Sequence, residues 1–191
     1  HDLTGKTLGL VGFGQIAQTV ASRLSTWEAE IVTSVRTPRP LPDYVAAVGL
    51  DELLRTSDVV VVLSALNDQS RGMLGRERLE LMKPDVVFVN VARGGIVDDD
   101  ELAALAARRP GMRLALDVFA PEPLRPDSPL RGLPDAILTP HMVGHTVETH
   151  DRLPLTLRDN VLDLLEGRVP AFVRNRDAVD AWRRRFGAES K

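Results

Sequence analysis

Cysteine is absent from all 191 residues, so neither a disulfide nor a thiolate–zinc site is available, which fits a reducing, cytoplasmic setting. No apolar stretch approaches the roughly 18 residues that a membrane-spanning helix needs, and no signal-peptide pattern opens the chain. Basic charge is not in excess. With 24 Lys and Arg against 27 Asp and Glu the net charge is −3, the opposite of a general nucleic-acid footprint. The Arg-rich stretch AWRRRFG is short and reads as a solvated tail. No internal repeat or low-complexity tract is visible, and no metal site is expected. The first residue is His1 rather than Met, so sequence upstream is expected to be missing, and His1 is given no role.

What remains is an ordinary globular balance, 43% hydrophobic and 27% charged, in a length that allows one domain or at most two. Short apolar runs alternate with helical patterns, which predicts an α/β fold with a parallel sheet covered on both faces. The expected strands are Thr7–Val11, Glu30–Val35, Val59–Leu63, Val86–Asn90, Arg113–Asp117 and Ile137–Thr139. The expected helices are Gln15–Leu24, Asp51–Arg55, Arg76–Met82, Asp99–Arg108 and Leu155–Glu166. In Gln15–Leu24 the stripe Ile16, Val20 and Leu24 is expected to pack, with Ala17 and Ala21 as small contacts. Asp98 is placed to cap Asp99–Arg108, with Glu101 at capping-box spacing. Pro154 is read as starting or kinking the last helix, and Gly167 as ending it. The loop Pro121–Pro134 carries five prolines, too many for regular structure. Residues 168–191 are expected to form an extended tail plus a short helix. The domain boundary is placed at 150, with residues 1–150 as the nucleotide-binding part and 151–191 as a returning helix and tail.

Gly12-Phe13-Gly14-Gln15-Ile16-Ala17 follows a strand and opens a helix, the context a dinucleotide-binding turn demands. Gly12 permits the tight turn, Gly14 lets the backbone approach a pyrophosphate, and Ala17 allows close helix–strand packing. The helix N-terminus then offers amide donors, at Gln15 and Ile16 among others, to the phosphates. An acid that grips a ribose 2′-hydroxyl is also missing: the stretch Ile31–Arg39, where it belongs, contains none. Ser34, Arg36, Thr37 and Arg39 stand there instead. Guanidinium groups suit a 2′-phosphate, which points to NADP. NAD with two solvated arginines is the alternative.

Three ionisable residues sit at the ends of apolar runs: Arg93 in VNVARGGIVD, Glu122 in ALDVFAPEPL and His141 in LTPHMVGH. A cation, a carboxylate and an imidazole are what a site needs to grip an anion and move a proton. The glycines after Arg93 are read as leaving room for a ligand. Together with GLVGFGQIA, SRGMLG, VNVARGGIVDDDEL, LDVFAPEPL and TPHMVGH, in that order, these residues closely resemble the nucleotide-binding domain of the D-isomer-specific 2-hydroxyacid dehydrogenases, from about Leu3 to Gly167.

That resemblance implies a Rossmann-type doubly wound sheet and hydride transfer between NAD(P)H and a small 2-oxo or D-2-hydroxy acid, such as glyoxylate or hydroxypyruvate. Arg93 matches the residue that binds the substrate carboxylate, His141 the acid–base histidine and Glu122 its carboxylate partner. Asp117 resembles the aspartate that meets the nicotinamide carboxamide, although a turn-capping role is the other reading. Ala65 and Leu66, Val91 and Ala92, and Gly144 fall where the family contacts its coenzyme. Two stretches depart from the family pattern: Ser64-Ala65-Leu66-Asn67, and Met142-Val143-Gly144-His145 after His141. The resemblance also implies a homodimer, and a substrate-binding domain that is largely absent from these residues, so that the chain alone is expected to turn over nothing. A non-catalytic NAD(P)-sensing module of the same fold is the rival reading.

Overall fold

The computed structural model describes residues 2–186; His1 and residues 187–191, the end of the expected tail, lie outside the described residues. Each apolar run becomes a strand. They are β1 (Thr7–Val11), β2 (Glu30–Ser34), β4 (Val59–Val62), β5 (Val87–Asn90), β6 (Arg113–Leu116) and β7 (Ala136–Leu138), mostly a residue shorter than the apolar run. A two-residue strand, β3 (Ala46–Ala47), is added beyond β2. The helices between them are α1 (Gln15–Leu24), α2 (Leu50–Thr56), α3 (Arg76–Glu80) and α4 (Asp99–Arg108).

All seven strands are parallel, in the order β3-β2-β1-β4-β5-β6-β7. This is the Rossmann-like α/β sheet. Alternation along single strands shows why both faces must be covered. Leu8 and Leu10 of β1 and Ile31 of β2 pack with Phe13, Ala17 and Ala21. Val11 and Val32, out of phase with them, join Leu53 and Leu54 of α2, Phe88 of β5 and Leu102 and Leu105 of α4. Each fully buried side chain of this size contributes roughly 1.5–3 kcal/mol. The order of strands reverses at β1, between β2 and β4. A crevice at the carboxyl ends of the strands is thereby created, where open α/β sheets bind ligands.

Two local expectations are corrected. In α1 the packed stripe is Ala17 and Ala21 flanked by Val20 and Leu24, while Ile16 is 64% exposed. Ile16 lies in the first turn, outside the packed cluster. In α4 the Asp98 side chain does accept from the Glu101 amide at 3.0 Å. The Glu101 carboxylate, however, reaches Arg76 of α3 at 2.9 and 3.0 Å, so the capping box closes in one direction only.

The described residues divide into two compact units, one through Val143 and one from Gly144 onward. In the second unit a 19-residue helix, α5 (Val147–Leu165), begins well before the expected Leu155. Thr146 caps it by accepting from the Thr149 amide at 3.2 Å, and Pro154 lies inside, where it removes only the bond to the His150 carbonyl. Gly167, at φ +70°, ends it as expected. A short α6 (Val179–Phe186) follows.

Candidate active site

At the first crossover, Gly12 has φ +95°, and a Cβ there would stand 3.0 Å from the Ser64 Cα. Both the left-handed conformation and the close passage of the chain leaving β4 therefore require glycine. Gly14 is the N-cap of α1, with no side-chain cap and open space where a Cβ would stand. No acid lies in the first turn of α1. Its free amides and positive dipole end are thus open to an anion, and the residues present fit a coenzyme pyrophosphate.

The end of β2 lies beside this turn. The Ser34 carbonyl accepts from the Gly12 amide at 3.0 Å. Arg39 donates to the Phe13 carbonyl of the glycine turn at 2.9 Å, while the Arg36 guanidinium meets the Gln69 side chain. Thr37 is exposed between them. Residues 35–39 after β2 thus carry two arginines and no acid. After β4, the Ala65–Ser70 loop is tied by its own side chains. Asn67 Oδ1 accepts from the Gln69 and Ser70 amides at 3.0 and 3.1 Å, and the Ser70 hydroxyl donates to the Ala65 carbonyl at 2.7 Å. Leu66 is half-buried against Gly95.

Arg93 follows β5. Buried Asn90, at the strand end, accepts from the Ala92 amide at 3.2 Å and donates to the Arg93 carbonyl at 3.4 Å, which shapes the Val91–Arg93 turn. The Arg93 guanidinium is exposed and donates to the Ala92 carbonyl at 2.6 Å. Gly94, expected to make room for a ligand, makes room for the protein itself: a Cβ there would overlap the Phe119 carbonyl and lie 2.6 Å from the Ala120 nitrogen. The Arg93 turn is thereby packed on the segment that carries Glu122.

Glu122 and His141 are joined directly, His141 Nδ1 to Glu122 Oε2 at 2.9 Å, with the other carboxylate oxygen accepting from the Phe119 amide at 3.1 Å. The hydrogen bond from His141 holds the Glu122 pKa below its ordinary value; burial opposes this, while the Phe119 amide and the charges of His141 and Arg93 add to it. Glu122 is therefore ionised at neutral pH and can only accept, so Nδ1 carries a proton and Nε2 is the free ring nitrogen. Both side chains remain about two-fifths exposed, at 44% and 38%.

His141 has φ +57°, an uncommon conformation for a residue with a Cβ. Asp117, at the end of β6 and 3% exposed, holds it there. Its carboxylate accepts from the Thr139 hydroxyl at 2.6 Å and from the Met142 and Val143 amides at 2.7 and 3.2 Å. Burial acts to raise the Asp117 pKa, but these three donors and the His141 charge outweigh it and keep the group below its ordinary value. The turn-holding alternative for Asp117 is the one the geometry displays. A cavity of about 530 Å³ opens beside the pair, lined by Glu122, His141, Phe119, Leu138 and Thr139 and by Arg131, which carried no signal in the sequence. Gly144 opens the second unit.

The structure therefore brings Glu122 and His141 into contact and sets Arg93 within electrostatic reach of Glu122, all at the carboxyl edge of one sheet. Residues 1–143 match the family described as D-isomer specific 2-hydroxyacid dehydrogenase, NAD binding domain. The chain belongs to this family. A glyoxylate reductase of Aeropyrum pernix is 36% identical over 183 residues, 93% of this chain and 54% of that protein. A D-3-phosphoglycerate dehydrogenase of Mycobacterium leprae is 37% identical over 172 residues, 87% of this chain and 32% of that protein. A crystal structure of a Thermus thermophilus protein superposes with a TM-score of 0.81 at 42% identity, over 89% of this chain and 54% of that one. The chain thus spans about half the length of the glyoxylate reductases it matches, and a third of the phosphoglycerate dehydrogenase. This member of the family carries the β1–α1 glycine turn and the His141–Glu122 pair on one sheet edge.

Proposed function

We propose that this chain is the coenzyme-binding half of a D-2-hydroxyacid dehydrogenase that reduces a small 2-oxo acid, glyoxylate or a close analogue, with NADPH. The observation that carries the reading is the 2.9 Å His141–Glu122 bond at the strand edge that also holds Arg93. Arg93 binds the substrate carboxylate, its planar fork fixing the acid in one orientation. His141 delivers a proton from Nε2 to the carbonyl oxygen, and takes it back in the oxidative direction. Glu122 orients the ring through Nδ1 and offsets the positive charge of the proton-loaded form. When bound, the reduced nicotinamide supplies the hydride. Gly12, Gly14, Gln15 and Ile16 face the pyrophosphate, and Ala65, Leu66, Val91 and Ala92 contact the rest of the coenzyme. Similarity to glyoxylate reductases supports glyoxylate as the first substrate to assay in the intact protein. No turnover of glyoxylate, hydroxypyruvate or pyruvate with either coenzyme would sink the enzymatic reading.

The preference for NADPH rests on Arg36, with Ser34, Thr37 and Arg39 around it. A charge-assisted contact to a 2′-phosphate is worth about 1.5–3 kcal/mol, so Arg36→Ser is expected to weaken NADPH binding roughly 10- to 100-fold and to leave NADH binding nearly unchanged. Calorimetric titration of the chain with the two coenzymes measures this without any turnover. An unchanged affinity ratio would return the assignment to NAD. The intact protein is read as a homodimer on the family resemblance and as cytoplasmic on its lack of cysteine; sedimentation as a monomer at micromolar concentration would overturn the dimer.

A further inference from the structure

The Phe119–Ala120 segment is gripped by two carboxylates through consecutive amides. Glu122 accepts from the Phe119 amide at 3.1 Å, and Asp99, from the first turn of α4, accepts from the Ala120 amide at 2.9 Å. The second bond joins residues 21 apart in sequence and ties the start of α4 to the loop that carries Glu122. Asp99 is otherwise an awkward choice. It is partly buried and lies between Asp98 and Asp100, and nearby Arg125 is 3.1 Å from Asp100 and 3.8 Å from Asp127 instead. We propose that Asp99 is a positioning residue for the histidine–glutamate pair: its ionised carboxylate clamps the Ala120 amide and so fixes the turn from which Glu122 reaches His141.

The surrounding charges support the clamp. On α4 itself Asp98 is spent on the Glu101 amide, and Glu101 on Arg76 of α3. From the loop after β6 come Arg125 and Glu122, whose partner His141 follows β7; Arg131, in the 3-10 turn Pro129–Gly132, is turned to the Leu124 and Arg125 carbonyls at 2.8 and 2.9 Å. A cavity of about 230 Å³ lined by Asp98, Asp99, Asp100, Ala120, Pro121 and Arg125 lies alongside. Burial pushes the Asp99 carboxyl up to about 6, with Asp98 and Asp100 adding to the rise and the Ala120 amide and Arg125 opposing it. Because the native value lies above the unfolded one, ionising Asp99 costs stability as pH rises through this window. At neutral pH the fold thus carries a charged group at a cost, and the bond to Ala120 is what that charge serves. A protonated Asp99 is a weaker acceptor, so the clamp loosens on the acid side of about pH 6.

The effect on turnover rests on the dehydrogenase reading, whereas the clamp itself is read on this chain by NMR, with no substrate present. In the wild type the Ala120 amide shift is expected to titrate with a midpoint near 6, and in Asp99→Asn to be flat through that range. Asn keeps an acceptor oxygen, so at neutral pH, where Asp99 is ionised, the Phe119 amide shift, which reports its bond to Glu122, is expected to stay close to the wild-type value in Asp99→Asn. In Asp99→Ala the Phe119 amide is expected to move upfield at the same pH, as its bond to Glu122 weakens. An Ala120 amide that does not titrate with Asp99 in the wild type overturns the clamp. So does a Phe119 amide shift that is the same in wild type and Asp99→Ala at neutral pH, or one that moves as far in Asp99→Asn as in Asp99→Ala. Should Asp99→Ala fail to fold, the wild-type and Asn titrations decide alone. A protein that passes these tests yet reduces no 2-oxo acid would count against the enzymatic reading only.

Discussion

His141→Gln in the full-length enzyme is expected to lower kcat for 2-oxo acid reduction by about 10²–10⁴-fold, the usual contribution of a positioned acid–base group. Glutamine still donates a hydrogen bond to Glu122, so the 2.9 Å partnership that organises the turn has a substitute and the fold survives. What disappears is the ability of the side chain to give and take a proton at the far end. Coenzyme binding is expected to stay within about twofold, so the loss falls on kcat and not on coenzyme affinity. Glu122→Gln is expected to be milder, because the imidazole remains while its orientation and charge compensation weaken. Steady-state kinetics on both variants separate these cases. Turnover of His141→Gln within about threefold of wild type would remove His141 from the chemistry.

Gly94→Ala is expected to be among the most damaging single-methyl changes in the molecule. The added Cβ would overlap the Phe119 carbonyl, and that peptide has nowhere to retreat, since Glu122 holds the Phe119 amide and Asp99 the Ala120 amide. Overpacking costs about 1–3 kcal/mol, and against fixed backbone the upper end of that range is expected. The expected readout is a loss of that size in urea unfolding of the chain. Gly132→Ala serves as the control, since nothing stands within 4 Å of the Cβ it would gain. It is expected to change stability by less than about 0.5 kcal/mol. Equal stability of the two variants would mean that the Arg93 turn and the Glu122 segment are not packed as described.

The six longer strands and their parallel pairing are legible because central strands of such a sheet are short, apolar and punctuated by turns. The two-residue β3 is not, since Ala46-Ala47 carries no pattern of its own. Ile16 misleads because counting apolar residues along a helix ignores which side faces the sheet, and small Ala17 and Ala21 are what close packing against β1 requires. The start of α5 is hidden because Pro154 reads as a beginning, whereas Thr146 supplies the cap eight residues earlier. Within the site, Arg93, Glu122 and His141 stand out because each lies in a distinctive local phrase. Asn90, Asp99 and the packing role of Gly94 do not, because their partners are backbone groups supplied by a turn or a distant loop. Asp117 stands out as a strand-end carboxylate, and only the structure shows that its oxygens are taken by the Thr139–Val143 segment.

The claim on which the rest depends is that the β1–α1 turn and the Arg93 and His141 segments border one coenzyme site. It is tested most directly by amide chemical-shift mapping of the ¹⁵N-labelled chain. NADPH is expected to move Gly14, Gln15 and Ile16 together with Ala92, Arg93 and Met142, while 2′,5′-ADP, which lacks the nicotinamide end, is expected to move only the first group. Shifts from NADPH confined to the first group, or absent from both, would contradict it.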